Sequence, residues 1–338
     1  WDATNVVEPA VTVITPVELD HQEYLGSGLA EIAAEKAGII KAGAPVVMGR
    51  QTAAVAEVIE AVAAAVDVPV VRQGVDFAVE SRALAVGGQL LLLAGCAGEY
   101  ADIFLPLHGP HQGDNAVTAL AAVECFFGEG GRRLNAETVS LGFAAATSPG
   151  RLEVLRTGPT VVVDAAHNPA GARVLAASVK EAFDFSHVIA VVAVLADKDA
   201  VGILTALATV VDEVVVTRNS SPRSMDIDEL AAIAARAMGA DRLQVADDLA
   251  DAMEVATERA DEWLAEGSAG ILVTGSVVTA GDVRSMLVGE LVQTIEDEVV
   301  AARAAEAAPD PEQDAVAAAE ALVVESMAEP VEWDPTRE

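Results

Sequence analysis

The stretch from Asp164 to Pro169 places a carboxylate and an imidazole between a predicted strand and a predicted helix. Residues 160–163 are a β-branched run typical of a strand buried on both faces, and Asn168 before proline is a good helix start. Ligands collect outside the carboxyl ends of strands in open α/β sheets, and helix N-termini favour anions. Asp164 and His167 are therefore candidate ligand-binding residues. The alternative, that both are ordinary polar groups at a loop end, stays open at this point.

A second candidate is Lys36, which continues the apolar stripe of a helix predicted over 27–37, capped by Ser27 and ended by Gly38. That stripe is formed by Leu29, Ile32 and Ala33. Burial disfavours the charged form of a lysine, and a neutral amine can act as a nucleophile or take up carbon dioxide as a carbamate. The alternative is a side chain that extends along the helix and keeps its ammonium group in water.

The other candidates are single polar residues scattered along the chain: His21, Asn115 and Arg151. The 338 residues contain neither G-x-x-x-x-G-K-[ST] nor G-x-G-x-x-G, so no complete phosphate-binding loop is present. Zinc-type Cys/His spacing and the G-x-S-x-G motif are also missing from the sequence. Each of these residues alone is a weak signal, because a lone polar residue in a loop is usually just a surface residue.

Two patterns of secondary structure would position these residues. From residue 160 onward, strands alternate with helices, which predicts a parallel-sheet α/β domain. The predicted strands are 160–163, 188–195, 212–216, 243–245 and 270–274, and the predicted helices are 169–183, 199–209, 226–238, 247–265 and 279–290.

Before residue 148 the pattern is more mixed. Strands at 11–15, 45–48 and 68–71 and helices at 27–37 and 53–65 precede antiparallel hairpins over 76–105, with a tight turn at Gly87-Gly88. Helices are predicted at 114–126 and 136–145, and Ser148 to Arg151 is interpreted as an interdomain hinge. These patterns predict domains over 1–147 and 148–293, followed by a tail over 294–338.

Composition limits the classes of partner. A formal net charge of −33 argues against nonspecific binding to nucleic acid or to an anionic membrane. The apolar runs fall far short of the ~20 residues that a membrane span needs, and two cysteines without a disulfide framework fit a reducing cytoplasm. Residues 296–338 hold 13 acidic and two basic residues, which is typical of a disordered tail.

Taken together, the candidate residues lie in motifs that resemble those of the folylpolyglutamate synthases and dihydrofolate synthases, within the Mur ligase superfamily. The resemblance covers roughly residues 1–290 in the right order. The matching blocks are Trp1-Asp2-Ala3-Thr4-Asn5, Leu19-Asp20-His21, Glu35 to Lys41, His111-Gln112 with Asn115, Pro149-Gly150-Arg151 with Glu153, Asp164 to Pro169, Asp197-Lys198-Asp199 and Gly275-Ser276. The fold that this resemblance implies is a Mur-ligase-like α/β fold, with a partial central ATP-binding domain followed by a Rossmann-like C-terminal domain.

The resemblance implies a reaction and its reactants. Members of this family join L-glutamate to folate, and in bifunctional members also to dihydropteroate, through an acyl-phosphate made from ATP. ATP, Mg²⁺ and a monovalent cation are the expected cofactors, folate or dihydropteroate and L-glutamate are the expected substrates, and the chain is expected to be a monomer. A bifunctional enzyme is favoured here because Asp2 resembles the aspartate with which the family contacts the pterin ring.

The resemblance also assigns roles to single residues. His21 and a carbamate on Lys36 would organise the magnesium site, and Asn115, Arg151 and Asp164 would contact ATP. Lys36, Asp164 and His167 are the expected catalytic residues, with His167 near the transferred phosphate or the incoming glutamate. Ser276 is the expected contact for glutamate.

One departure and two rival interpretations remain. The family's phosphate-binding loop belongs to a part that would precede Trp1, so we expect the parent protein to be the ligase and the 338-residue chain to be inactive alone. The first rival is a peptidoglycan-type amino-acid ligase, against which Asp2 and the Lys36 block speak. The second is a non-catalytic, degenerate binding module, which the presence of Lys36, Arg151, Asp164 and His167 disfavours.

Overall fold

A computed structural model of the chain describes residues 3–18, 28–127, 133–264 and 267–289. The chain forms two compact units, Trp1–Ser285 and Met286–Glu338. Asp2, His21 and the predicted acidic tail over 294–338 lie outside the described residues. Within the described ranges, none of the helices is long and apolar enough to cross a membrane.

The strands of the described residues form three sheets. The first is parallel and contains β1 (Thr12–Ile14), β2 (Val46–Met48) and β3 (Val70–Arg72) in that order. The second is antiparallel and contains β4 (Ala78–Ala85), β5 (Gly88–Ala94) and β6 (Glu99–Leu105). The third has the order β11-β10-β9-β12-β8-β7 and is built from β7 (Glu153–Thr157), β8 (Thr160–Val163), β9 (His187–Val192), β10 (Glu213–Val216), β11 (Leu243–Val245) and β12 (Ala269–Thr274).

The helices run between and around these sheets. They are α1 (Leu29–Ala37), α2 (Ala53–Ala65), α3 (Pro110–Phe127), α4 (Ala136–Ala144), α5 (Pro169–Ala182), α6 (Ala200–Leu207), α7 (Ile227–Met238), α8 (Leu249–Leu264) and α9 (277–289). Their order confirms the alternation of strands and helices predicted after residue 160.

The N-terminal helices follow the predicted pattern with small shifts. Helix α2 matches its prediction at both ends, and its Ile59 is fully buried together with Ile32 of α1. The N-cap of α1 is Gly28 and makes no side-chain capping bond, so the predicted cap at Ser27 is wrong. Helix α3 begins at Pro110, four residues before its prediction, because proline suits the first turn of a helix.

The second sheet confirms the predicted hairpins but shifts one turn. The two residues between β4 and β5 are Val86 and Gly87, and Gly88 already pairs with Ala85. Gly87 has φ of 76°, a left-handed conformation that a β-hairpin turn of this length requires and that glycine adopts without strain.

The third sheet contains the predicted parallel strands and one edge strand that was not predicted, β7. Strand β7 pairs antiparallel with β8, whereas the other neighbours in this sheet are parallel. The connection from β7 to β8 has only two residues, 158 and 159, and a loop that short can join only antiparallel strands. The core of the sheet is aliphatic, and Ile189, Leu204 and Ile271 are fully buried in it.

Candidate active site

The carboxyl end of β8 has the geometry that the sequence predicts. Asp164 follows the strand directly, and its backbone N–H donates to the carbonyl of Val273 in the neighbouring strand β12 at 2.9 Å. Three residues later, Asn168 caps α5 by accepting a hydrogen bond from the backbone N–H of Gly171 at 2.7 Å. The turn between these two points is therefore fixed at both ends, and it carries His167.

The carboxylate of Asp164 is buried and joins two segments of the chain. Its Oδ2 accepts the backbone N–H of Leu152 at 3.0 Å, and its Oδ1 accepts that of Ala166 at 2.8 Å. Burial raises the pKa of Asp164, and the two N–H donors together with the positive charge of Arg151 oppose that shift in part. Asp164 is thus an acceptor that positions the backbone on both sides of the site.

The loop that carries Arg151 is braced rather than loosely connected. The backbone N–H of Gly150 donates to Glu153 Oε2 at 2.8 Å, and the carbonyl of Gly150 accepts the N–H of Ala165 at 2.8 Å. Leu152 is buried with φ of 47°, a left-handed conformation that is costly for a residue with a branched side chain. The segment predicted as a hinge is a loop held by four hydrogen bonds, including those to Asp164 and Ser148.

Arg151 itself points into solvent at the rim of a cleft of about 670 Å³. Leu107 and His108, from the connection between β6 and α3, line the same cleft, as does Arg284 of α9. Arg284 donates to the carboxylate of Glu153 at 3.0 Å, so its charge is paired. The cleft therefore offers the guanidinium of Arg151 to an anionic ligand.

His167 follows Asp164 by three residues, and a hydrogen bond at Nδ1 fixes the tautomer of its ring. Its Nδ1 is 3.0 Å from the carbonyl oxygen of Ala165, which can only accept, so Nδ1 carries the hydrogen of that bond. The Nε2 atom is then the acceptor nitrogen of the neutral ring. That tautomer can accept a proton from a reacting group or a hydrogen bond from a ligand.

Asn115 lies on the exposed side of α3, where its Nδ2 donates to Oε1 of the buried Gln112 at 3.1 Å. One turn earlier is His111, which belongs to one of the matching blocks but received no predicted role, and its buried Nδ1 has no hydrogen-bond partner among the described residues. Burial and the positive charge of Arg151 lower the pKa of His111, and Asp114 opposes them. The first turns of α3 are therefore within electrostatic reach of the Arg151 loop.

Ser276 is buried in a network of hydrogen bonds. Its Oγ accepts the backbone N–H of Thr279 at 2.9 Å and the Nδ2 of Asn219 at 3.1 Å, and it lies 2.8 Å from the Thr279 hydroxyl. The predicted contact between Ser276 and glutamate is not tested by these bonds and stays a prediction. Asn219 was missed, although it follows the carboxyl end of β10, the same edge of the sheet that identified Asp164.

Lys36 is in the last turn of α1 and is half-buried. Among the hydrogen bonds and ion pairs of the described residues, none joins it to the cluster of Arg151, Asp164 and His167. No group of three His, Cys, Asp or Glu side chains that could hold a metal ion occurs in the described part of the chain. The predicted roles of Lys36 and of His21, which lies outside the described residues, stay predictions.

The structure thus brings four of the predicted residues to one edge of the third sheet: Arg151, Asp164, His167 and Ser276. A guanidinium at a cleft, a helix N-terminus and a braced turn form an arrangement suited to an anion such as a phosphate. Because the charge of Arg151 acts on His111, the first turn of α3 lies near this candidate site, whereas Asn115 donates to Gln112 of its own helix.

Comparison with known proteins identifies the proteins to which this chain is similar. Residues 150–277 match the family described as Mur ligase, glutamate ligase domain. A dihydrofolate synthase/folylpolyglutamate synthase of Mycobacterium tuberculosis is 52% identical over 301 residues, which cover 85% of this chain and 62% of the relative. The chain therefore spans less than two thirds of the length of that relative.

Two solved structures are similar to the chain. The folylpolyglutamate synthase of Mycobacterium tuberculosis complexed with ADP has a TM-score of 0.81 at 51% sequence identity. The match covers 85% of this chain and 65% of the chain in that structure. The Escherichia coli protein in complex with DHPP and ADP has a TM-score of 0.70 at 28% sequence identity. That match covers 86% of this chain and 64% of the chain in that structure. The similarity extends across all three sheets rather than the C-terminal domain alone, because it covers more than four fifths of the chain.

Proposed function

Because the chain belongs to the folylpolyglutamate synthase/dihydrofolate synthase family and carries its Mur ligase C-terminal domain, we propose that it serves ATP-dependent ligation of glutamate to folate. The observation that carries this proposal is the Arg151 loop, held between Asp164 and Glu153 at the mouth of a cleft. An arginine fixed in this way is suited to a phosphate that changes its bonding partner during the reaction.

The proposed reaction has two steps. A carboxylate oxygen of the folate attacks the γ-phosphorus of ATP, the bond from that phosphorus to the β,γ-bridging oxygen breaks, and ADP leaves an acyl-phosphate behind. The amine of L-glutamate then attacks the acyl carbon, phosphate leaves, and the amine loses a proton as the amide forms. Arg151 neutralises phosphate charge in both steps, and the Nε2 of His167 is the acceptor for the amine proton.

The remaining assignments follow the resemblance and are proposals of the same kind. Asn115 and Asp164 contact the nucleotide with Arg151, Asp2 contacts the pterin, and Ser276 contacts glutamate. His21 and a carbamate on Lys36 would hold Mg²⁺, which would neutralise further phosphate charge when bound. No step above depends on that ion.

We favour a bifunctional enzyme that accepts dihydropteroate as well as folate. The Mycobacterium tuberculosis relative is named for both activities, and the similar Escherichia coli structure is described as a complex with DHPP. A peptidoglycan-type ligase, the rival within the superfamily, would use nucleotide-linked muramyl substrates instead.

A chimera tests the proposal. The 301-residue matched segment of the Mycobacterium tuberculosis relative is replaced by this chain, and glutamate-dependent ADP release is measured with folate, dihydropteroate and a muramyl nucleotide. We expect turnover with the two pterin substrates and background release with the muramyl nucleotide. The reverse preference would overturn the proposal, and binding of ADP without turnover on any substrate would favour a degenerate binding module.

We further propose that the 338-residue chain has no ligase activity alone, because its sequence contains no complete phosphate-binding loop. The same assay on the isolated chain should give background ADP release, with the chimera as the positive control. Release by the isolated chain at the rate of the chimera would contradict this point and leave the reaction assignment intact.

A further inference from the structure

A second concave surface begins where the candidate site ends. It is a groove of about 550 Å³ between α5 and α6, which we call the α5–α6 groove. Pro169, the first residue of α5, lines its near end, two residues after His167. Gly202 of α6 packs against Pro169 so closely that a Cβ atom at position 202 would lie 2.5 Å from the proline ring. The near end of the groove is therefore two residues from His167 along the chain.

The α5 side of the groove is a straight row of residues. Pro169, Arg173, Ala177 and Lys180 line it at intervals of three and four residues, which places them on one face of the helix. At 1.5 Å of rise per residue, the row is about 16 Å long, and Arg173 and Lys180 are about 10 Å apart along the axis.

The row carries positive charge in a strongly acidic protein. Arg173 and Lys180 are exposed, and within the described residues neither forms an ion pair. Most arginines of the described chain are instead bonded to carboxylates or carbonyls, as Arg259 and Arg284 are. Against a net charge of −33, two neighbouring cations without partners mark a surface for an anionic ligand.

The floor of the groove is small and mostly apolar. Ala176, Gly202 and Ala206 leave room for an extended chain to lie against the helices. The hydroxyls of Thr205 and Thr209 donate to carbonyls of their own segment at 2.7 and 2.8 Å, so their oxygens keep lone pairs that can accept from an amide N–H. The groove therefore combines cations, an apolar floor and acceptors for amide groups.

We propose that the α5–α6 groove binds the γ-linked polyglutamate chain of the folate, an inference that rests on the proposed function. Each γ-glutamyl unit contributes one carboxylate, one amide and two methylene groups, which match the cations, the threonine acceptors and the apolar floor. A unit has five backbone bonds and spans roughly 6 Å when extended. The spacing of Arg173 and Lys180 therefore corresponds to about two units, and the row accommodates two to three.

Binding of a free oligomer tests this inference without requiring turnover. Calorimetric titration of the 338-residue chain with tetra-γ-L-glutamate is compared between the native sequence and the double variant R173Q/K180Q. We expect the dissociation constant to rise roughly tenfold in the variant, because two exposed charge pairs are lost. The control R50Q/R236Q removes two exposed arginines outside the groove and should bind as the native chain does.

Three results would overturn the inference: no binding of the tetramer to the native chain, equal binding by R173Q/K180Q, or equally tight binding of α-linked tetraglutamate. A thermal unfolding curve for each variant shows that the substitutions leave the fold intact, as their exposure leads us to expect. If the chimera fails to ligate glutamate while charge-dependent binding of the tetramer is observed, the proposed function fails and the groove remains an oligoglutamate site.

Discussion

The two ends of the third sheet hold two carboxylates with opposite pKa shifts. At the carboxyl end, Asp164 accepts two backbone N–H groups, and burial raises its pKa. At the amino end, Glu213 receives both Nε and Nη2 of Arg259 at 2.8 and 2.9 Å, and this pair lowers its pKa to about 2. His187 also approaches Glu213 at 2.9 Å while its ring stacks on Trp263 at 4.0 Å.

The difference separates the edge that carries the candidate site from an edge that stabilises the fold. The negative charge of Glu213 is paired with Arg259 inside the fold, and this ion pair connects α8 to β10. The hydrogen-bond donors to Asp164 are backbone N–H groups, and the positive charge that opposes its raised pKa is that of Arg151, which belongs to the candidate site. The opposite shifts also give opposite pH dependence: the stability from Glu213 is lost as pH falls, whereas ionised Asp164 costs more stability as pH rises through its raised pKa.

The largest expected effect is on kcat/KM and follows substitution of Arg151. It tests whether the two ends of the sheet differ in their importance for activity. In the chimera, Arg151→Ala should lower kcat/KM about 1000-fold, on the order of 4 kcal/mol, because the phosphate loses its guanidinium. Glu213→Gln in the same chimera should leave kcat/KM within about threefold of the starting value, since it lies at the far end of the sheet. Comparable losses in both variants would remove the distinction between the edges.

The next effect concerns the two N–H groups that Asp164 satisfies. Asp164→Ala should lower the free energy of unfolding by about 3 kcal/mol, because the backbone N–H groups of Leu152 and Ala166 lose their acceptor in a buried place. Asp164→Asn keeps one acceptor oxygen and should cost about half as much. Urea denaturation at pH 7 measures both, and equal costs for the two variants would contradict this account of the carboxylate.

Substitution of Glu213 should lower the free energy of unfolding by a smaller amount, and this loss should depend on pH. Glu213→Gln should lower the free energy of unfolding by about 2 kcal/mol at pH 7. This value is reduced for solvent screening because the side chain of Arg259 is one third exposed. The pKa of Glu213 falls from 4.5 to about 2 on folding, so its contribution is complete above pH 4.5 and is lost as pH falls towards 2. Acid denaturation curves of the native chain and Glu213→Gln should converge in that window, and parallel curves would show that another group carries the acid sensitivity.

The smallest effect distinguishes among the partners of Glu213. Trp263→Phe keeps a ring against His187 and removes the indole N–H that donates to Glu213 at 3.2 Å. We expect a loss of about 0.5 to 1 kcal/mol, the usual net value of one hydrogen bond. A loss as large as that of Glu213→Gln, in the same urea titration, would mean that the stacked indole rather than the arginine pair holds this end of the sheet.

The local geometry of the candidate site's edge was predictable from sequence because its elements follow one another closely in the chain. A β-branched strand, Asp164, the Asn168 cap and Pro169 follow one another within ten residues, and each residue type has a direct physical reason to be there. The strand bounds of β8 and β11 and both ends of α2 were confirmed for the same reason.

The edge that stabilises the fold was not predictable because its members come from distant parts of the chain. Glu213 and Arg259 are 46 residues apart, and neither sits in a motif that would link it to the other. A smaller separation already hides a contact, because Leu152 and the Asp164 that braces its loop are twelve residues apart. Strand β7 was missed for a different reason, since its pairing with β8 is local but its sequence lacks the β-branched run of a buried strand. Periodicity reports which face of an element is buried but not which polar groups meet across elements.

The two amides on Asp164 have a consequence for detecting ligands. The N–H of Leu152 belongs to the loop before β7, and the N–H of Ala166 belongs to the turn before α5, so a single carboxylate shields two separated amides from solvent deuterium. A bound nucleotide that competes for either oxygen of Asp164 would expose one of these amides and leave the other shielded. Exchange rates at positions 152 and 166 would therefore show which oxygen faces the ligand, even in a protein that performs no catalysis.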